Sequence, residues 1–287
     1  MIENTNHENV MYYILSCISN EDVPIVFKGG LITRLILEDG KFYIGGRHTK
    51  DIDANWVGTP PSMQNIVETI NLALKGFDGQ LTAKSYREYD LETGRSAGIS
   101  LVDENGQNVV SIDMDIKPFS QNTTYYFGNA SIKGVLADEI IADKISSISS
   151  DAVYKHRCKD IVDLYALTHC AKVKTTNIYE TCNKNNREIK DFDGFINHKI
   201  EIKHAYAKLK NIYEKPDFDE LYDYLSKFLQ PYISKDRTPQ QWNASLINYE
   251  SPTQKSSNTI NSIYEKEQHI SSSIRRPVLP DKSNRKI

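Results

Sequence analysis

The sequence predicts an α+β protein: a mixed, partly antiparallel sheet flanked by helices, then a helical C-terminal part, then a polar, disordered tail. Three observations carry this. Residues 24–57 and 80–116 hold short apolar or alternating runs broken by Gly, Pro and Asn-Gly, the signature of strands and turns. From Leu136 the apolar spacing changes to that of helices. Beyond about Lys235, single apolar residues lie scattered among Ser, Asn, Gln, Lys and Pro with no period. The expected division is a core domain over 1–134, a helical domain over 135–234 and a tail over 235–287.

Taken in order, residues 8–19 place Val10, Met11, Ile14, Leu15 and Ile18 at helical spacing. Residues 24–27 read as a short buried strand, Gly29 and Gly30 break it, and residues 31–37 continue as a helix. Asp51, Ile52 and Asp53 then alternate. In a strand running to Val57, both carboxylates point to one side and Ile52 to the core. Ser62 is an N-cap before the stripe Met63, Ile66, Val67, Ile70 and Leu74. Strands follow over 80–89, 97–103 and 107–116, with Asn105-Gly106 as a tight turn between the last two. A helix over 136–148 turns Leu136, Ile140, Ile141, Ile145 and Ile148 inward, with Lys144 beside them. The next carries Lys155, Arg157, Lys159, Asp160 and Asp163 opposite Val162, Leu164, Tyr165 and Leu167. That is the pattern of a solvated, salt-bridged face with Lys159 and Asp163 as an i,i+4 pair. A polar linker around 183–193, a helix over 195–213 and a last helix capped at Asp217 and stopped by Pro231 complete the reading.

The formal net charge of −3 gives no global field for a polyanion, so any nucleic acid needs a local basic patch. Residues 251–287 carry seven Lys or Arg against three Asp or Glu, which suits a solubilising tail or an RNA contact. No apolar run approaches the roughly 18 residues that span a bilayer, and MIENTNHENV lacks signal-peptide features. The expected setting is the cytoplasm, with no membrane partner. Cys17, Cys158, Cys170 and Cys182 form no CxxC pair and read as buried thiols.

The chemistry lies in a few short segments. A Gly-Gly turn entering a helix aims backbone N–H groups at an anion. Asp51 and Asp53 alternate on one strand, and Asp113 and Asp115 do so on another, inside VVSIDMDIKPF. Charges in an apolar strand are costly unless paired or metal-bound, so two such strands suggest cations held between them. This is the equipment of two-metal phosphoryl transfer. Hard oxygen ligands without a His or Cys cluster favour two Mg²⁺ ions. Asp51 and Asp53 would hold the metals, and Asp113 or Asp115 would complete the site. The register between those two is open. Lys144, Lys159 and Arg47 are the cations available to neutralise phosphates.

KGG at 28–30, RHTKDID at 47–53, IDMDI at 112–116, ADK at 142–144 and RCKDIVDLY at 157–165 together resemble the AbiEii/AbiGii-type nucleotidyltransferase toxins, over roughly residues 20–170. The resemblance implies a polymerase-β-like nucleotidyltransferase core with a helical C-terminal part, a nucleoside triphosphate (NTP) donor and Mg²⁺. It also implies an antitoxin encoded alongside and transfer of a nucleotide to RNA, the tRNA 3′ end in some members. By motif, Lys28, Gly29 and Gly30 would contact the triphosphate, and Asp51 and Asp53 the metals. Lys144 would match the family's helical lysine, and Lys159, Asp160 and Asp163 its KDxxDL segment. Thr49 stands where many members have Ser and keeps the hydroxyl, and EDGKFYIGG lengthens the loop before Arg47. Two other readings use the same residues: transfer of AMP or UMP to a protein hydroxyl, or a non-catalytic module binding a nucleotide or an antitoxin. The second would need a broken metal site, and Asp51 and Asp53 argue against it.

Overall fold

In the computed structural model, which describes residues 5–77, 80–150 and 153–251, the chain opens with α1 (Asn6–Asn20). A reciprocal box caps this helix: Thr5 Oγ1 accepts from the Glu8 N–H, and the Glu8 carboxylate accepts from the Thr5 N–H. β1 (Ile25–Lys28) runs straight into α2 (Gly29–Asp39). After a long loop come β2 (Ile52–Val57) and α3 (Met63–Ala73), the latter capped by Ser62. β3 (Thr82–Arg87), β4 (Ala97–Val102) and β5 (Asn108–Lys117) form an antiparallel meander. Its last turn is closed by Asp103 and by Gly106 at φ +76.

β6 (Asn122–Phe127) and β7 (Ala130–Val135) form a further hairpin, in a stretch to which the sequence reading assigns no element. The hairpin completes one seven-stranded mixed sheet in the order β3-β4-β5-β2-β1-β7-β6. β2 lies parallel to β5 and β1 parallel to β7; the other neighbours are antiparallel. Phe27, Ala54 and Met114 share one register row on the core face and are fully buried. The polar residues of these strands therefore fall on the opposite face.

The remaining helices are α4 (Ala137–Ile148), α5 (Val153–His156), α6 (Cys158–Cys170), α7 (Thr175–Lys184), α8 (Asp193–Ile196), α9 (Lys199–Ala207) and α10 (Phe218–Ile233). α4 and α6 pack on each other and both touch α2, so the helical half sits directly against the glycine-led helix. α7 lies just ahead of the polar linker expected around 183–193, where no helix was assigned. The helix expected over 195–213 is shorter and split into α8 and α9. α10 continues through Pro231 instead of stopping there. In the final turn the ring forfeits a single N–H bond, and buried Phe228, Leu229 and Tyr232 hold the turn in place.

Part of the stretch expected as a tail, 235–287, is folded. β8 (Gln241–Asn243) and β9 (Asn248–Glu250) form a hairpin whose Trp242 is buried against Tyr224, Phe228 and Tyr249. A lone aromatic in a polar stretch has no period to betray it, yet it supplies enough apolar area to seat two short strands. The Trp242 indole N–H donates to the Tyr224 hydroxyl at 2.8 Å. Trp242→Phe is expected to cost about 1–2 kcal/mol by removing that bond and leaving the hydroxyl short of a partner, read as a lower midpoint in urea unfolding. The basic character of residues 252–287 lies outside the described residues.

No helix among the described residues is long and apolar enough to cross a membrane. The chain through Glu250 is one compact unit. The junction at 134/135 remains a proposal about organisation, and helices beyond it complete the surroundings of the site.

Candidate active site

Register assembles the site. Lys28 pairs with Asp53 across β1 and β2, and Asp53 pairs with Asp113 across β2 and β5, so cation and carboxylates stand in one row. One step along, Asp115 lies beside Asn55. Asp53 thus has Asp113, not Asp115, as its direct neighbour. Asp113 is held by Arg87 at 2.5 Å, whereas Asp115 accepts from Lys28 at 2.5 Å and from Ser96 at 2.6 Å. Burial raises the Asp53 carboxyl above its ordinary value. Lys28 opposes that rise, and the charge of Asp113 adds to it. Asp115 is held low, because Lys28 and the bonds from Lys28 and Ser96 outweigh its burial.

Asp51 sits one residue ahead of β2 and is exposed. Its carboxylate makes no ion pair among the described residues, and it does not line the cleft described below. Among the described residues no three His, Cys, Asp or Glu side chains cluster as a ready metal cage. Adjacent Asp53 and Asp113 nevertheless suit Mg²⁺, which binds through one or two carboxylates together with substrate phosphates. Both are hard oxygen donors, and the like charge between them is what a cation would offset.

The first glycine is fitted to this carboxylate. Gly29 adopts φ +69, and a Cβ there would lie 1.9 Å from Asp53 Oδ2. The backbone at the start of α2 can approach Asp53 only because no side chain intervenes. Gly30 stands against the Thr49 side chain, with its would-be Cβ 3.0 Å from Thr49 Cβ. Gly29→Ala is expected to cost about 1–2 kcal/mol in backbone strain alone. It would also displace the Asp53 carboxylate, and an error of about 1 Å in a reacting group lowers turnover by on the order of 10²-fold. Single-turnover transfer assays beside a thermal melt separate the two effects.

A buried charge cluster closes the other side. Arg47 grips Asp163 with two bonds of 2.8 and 2.9 Å, and Lys144 donates to Asp163 at 2.7 Å and Asp160 at 3.0 Å. Burial would raise Asp163, but Lys144 and Arg47 overcome it and hold the carboxyl far below the usual range. Burial works against the charge on Lys144, yet Asp163 and Asp160 keep it firmly protonated. This corrects the solvated-face reading of α6. Asp160 and Asp163 are buried, and Asp163 pairs with Arg47 and Lys144 rather than with Lys159, four residues before it. Periodicity placed these aspartates opposite the apolar stripe, but α4 and the Arg47 segment cover that face.

A second buried network escaped the sequence reading. Glu8 Oε1 accepts from Arg34 at 2.6 Å and from the Thr49 N–H at 3.2 Å, while Glu8 Oε2 lies 2.8 Å from His48 Nδ1. Glu8 and Arg34 are 0% and 1% exposed. Burial would raise Glu8, but its bonds with Thr5, His48 and Arg34 lower the carboxyl to about 2. The α1 carboxylate therefore fixes the segment that delivers Arg47 and Thr49. The available signal was Arg34, a lone cation in the apolar run of α2.

Between the two sides opens a cleft of about 250 Å³. Lys28, Gly29, Gly30 and Asp53 form its floor, and Arg47, Lys144, Arg157, Lys159 and Arg187 contribute cations. The structure thus brings together all the expected nucleotide-binding residues except Thr49, which backs Gly30, and Asp163, which sits behind Lys144. Glu139, buried and bonded to Ser120 and Asn55, and Asp143, paired with Arg187, line the cleft without having been expected there.

A glycine-led helix, the strand carboxylate of Asp53 and a ring of cations surround one cleft, the equipment of a nucleotidyltransferase. The family model for the AbiEii nucleotidyl transferase toxin of type IV toxin-antitoxin systems matches residues 13–261, and the chain belongs to that family. No curated protein matches the sequence. Among solved structures, the chain is similar to JHP933 from Helicobacter pylori, at 13% identity and a TM-score of 0.48, over 90% of this chain and 97% of the other. It is also similar to an antigenic nucleotidyltransferase-like protein from Paracoccidioides brasiliensis, at 16% identity and a TM-score of 0.38, over 76% and 92%. The assignment rests on the family match. It makes the protein a nucleotidyltransferase toxin, with an NTP as substrate and an antitoxin as partner.

Proposed function

We propose that this toxin transfers a nucleoside monophosphate from an NTP to a hydroxyl of RNA, with the tRNA 3′ end as the acceptor class, in the cytoplasm and with two Mg²⁺ ions. The observation that carries the reading is Lys28 and Asp53 lining a cleft ringed with cations, with Asp113 paired to Asp53 on the next strand. Asp53 and Asp113 would hold the metal between them. Asp51, exposed and unpaired just ahead of β2, is the further ligand for a second ion. Bound there, Mg²⁺ supplies charge neutralisation and a more acidic attacking hydroxyl. Asp113 is the third carboxylate in this assignment, because register sets it beside Asp53, while both it and Asp115 have a cation partner, Arg87 and Lys28.

The N–H groups at the start of α2 face the triphosphate as an anion site, and Lys28 and Lys159 neutralise it. Lys144 is positioned by Asp160 and Asp163 and adds charge from behind. The acceptor oxygen bonds to the α-phosphorus as the bond to the β-phosphate bridge breaks. Pyrophosphate leaves, and the hydroxyl proton passes to a carboxylate of the row.

The test incubates the protein and Mg²⁺ with each α-³²P-labelled NTP, total tRNA and cell extract, and resolves the products on a denaturing gel. Label on tRNA that disappears in Asp51→Ala/Asp53→Ala and with chelator supports the proposal. Label on protein instead would replace RNA by a protein hydroxyl as the acceptor.

A further inference from the structure

Two cavities adjoin the cleft, one through Arg187 and one through Lys159, because each of these residues lines the cleft and one neighbour. Their charges are in different states. In the first, of about 490 Å³, Arg187 is paired with Asp143, Lys235 with Asp191, and Arg237 lies over the Tyr179 ring at 3.8 Å. Its cations are already engaged. The second, of about 500 Å³, runs between α5, the start of α6 and α9, and is lined by Lys155, His156, Lys159, His204 and Lys208. All five are exposed, and none forms an ion pair with a carboxylate among the described residues; the Lys155 ammonium lies 5.5 Å from the Tyr154 ring. The one acid on its wall, Glu201, lies 3.3 Å from His198 Nδ1. Lys199 and Lys203 of the same helix turn to Asp219 on α10 and are neutralised there, which sharpens the contrast along α9.

Lys155, Lys159 and Lys208 carry positive charge along this groove with no carboxylate paired to them among the described residues, in a protein whose net charge is −3. Leaving them open fits a polyanion that supplies the counter-charge on binding. We infer that the groove between α5 and α9 is the path of the acceptor RNA strand, its phosphodiester backbone lying on Lys155 and Lys208 and its reacting end entering the cleft past Lys159. This rests on the RNA-directed reading above and adds the route. Of the two cavities that share a residue with the cleft, this is the one whose lysines form no ion pair with a carboxylate among the described residues. Tyr154, stacked on His198 at 4.5 Å, stiffens the groove wall.

The test uses the full chain and the double variant Lys155→Gln/Lys208→Gln, with Lys155→Arg/Lys208→Arg as the charge-preserving control. Binding of a short fluorescein-labelled single-stranded RNA is measured by anisotropy over a salt series, NTP binding by displacement of a fluorescent nucleotide, and transfer to tRNA by label. The Gln variant is expected to bind RNA on the order of tenfold more weakly at physiological salt, with a salt slope shallower by about 1.4, two phosphate contacts at about 0.7 each. NTP binding and kcat stay unchanged, KM for tRNA rises, and the Arg variant behaves as wild type. RNA binding equal to wild type in the Gln variant overturns the groove while leaving the RNA-directed reading standing. A parallel loss of NTP binding also overturns it, by assigning these lysines to the nucleotide. Wild-type protein that labels a protein and binds no RNA overturns the acceptor reading and the groove together.

Discussion

Asp53→Asn is expected to lower nucleotide transfer by on the order of 10³-fold or more, the upper range for loss of one fixed electrostatic group, while the protein melts at or above the wild-type temperature. Both halves of this expectation come from the same geometry. Asp53 is pressed against Gly29, stands beside Asp113 and has its carboxyl raised by burial. A raised carboxyl stabilises the fold in its neutral form. That contribution is complete below the ordinary value near pH 4 and is lost as pH rises through the folded value, so at neutral pH the ionised group works against the fold. Asn keeps the shape without the charge. A melt at pH 7 beside a transfer assay checks both, and an inactive variant that melts well below wild type would mean that Asp53 serves structure first.

Asp163→Ala should have the opposite profile: a large loss of stability, about 3–5 kcal/mol, because it strands Arg47 and Lys144 beside a cavity in the protein. The two guanidinium bonds and the shorter of the two ammonium bonds end on this one carboxylate, and Asp160 alone would be left to Lys144. Thermal unfolding should fall by on the order of 10 °C. The wild-type pH dependence follows from the same carboxyl, whose folded value is depressed. Its contribution is complete above about pH 4 and is lost as pH falls below that. Glu8, lowered to about 2, loses its contribution over the same acid range, so the two networks should fail together on acidification. Urea midpoints between pH 7 and pH 3 should fall steeply in wild type and less so in Asp163→Ala.

Local signals were strong where one short segment does the work. The Gly-Gly break, the Ser62 cap and the Asn105-Gly106 turn are each fixed by residues within a few positions, and the sequence displays them; the expected Asp51-Ile52-Asp53 alternation holds only from Ile52, where β2 begins, and leaves Asp51 outside the strand. What stayed hidden depends on long-range partners. The preference for Asp113 over Asp115 beside Asp53 is decided by the parallel register of β2 and β5, some sixty residues apart, and both aspartates fit the same alternation. Asp160 and Asp163 looked like a solvated face because nothing in α6 announces that Arg47 and Lys144 cover them. Glu8 stands at the start of the helix expected over 8–19, and nothing local announces its partners at Arg34, His48 and Thr49. The β6–β7 hairpin is closer to legible: Gly128-Asn129 between alternating Thr, Tyr and Ile is a local turn signal.

The cleft is lined by Lys28, Arg47 and Asp53 from before residue 134 and by Lys144, Lys159 and Arg187 from after it. A chimera joining the first half of this chain to the helical half of a relative would carry Arg47 into the new protein, and would work only where the incoming half sets an aspartate to receive it. The two halves cannot be traded as independent cassettes. Substitutions in one are expected to be accepted during descent only alongside matching changes in the other, so the protein should evolve as a single indivisible block.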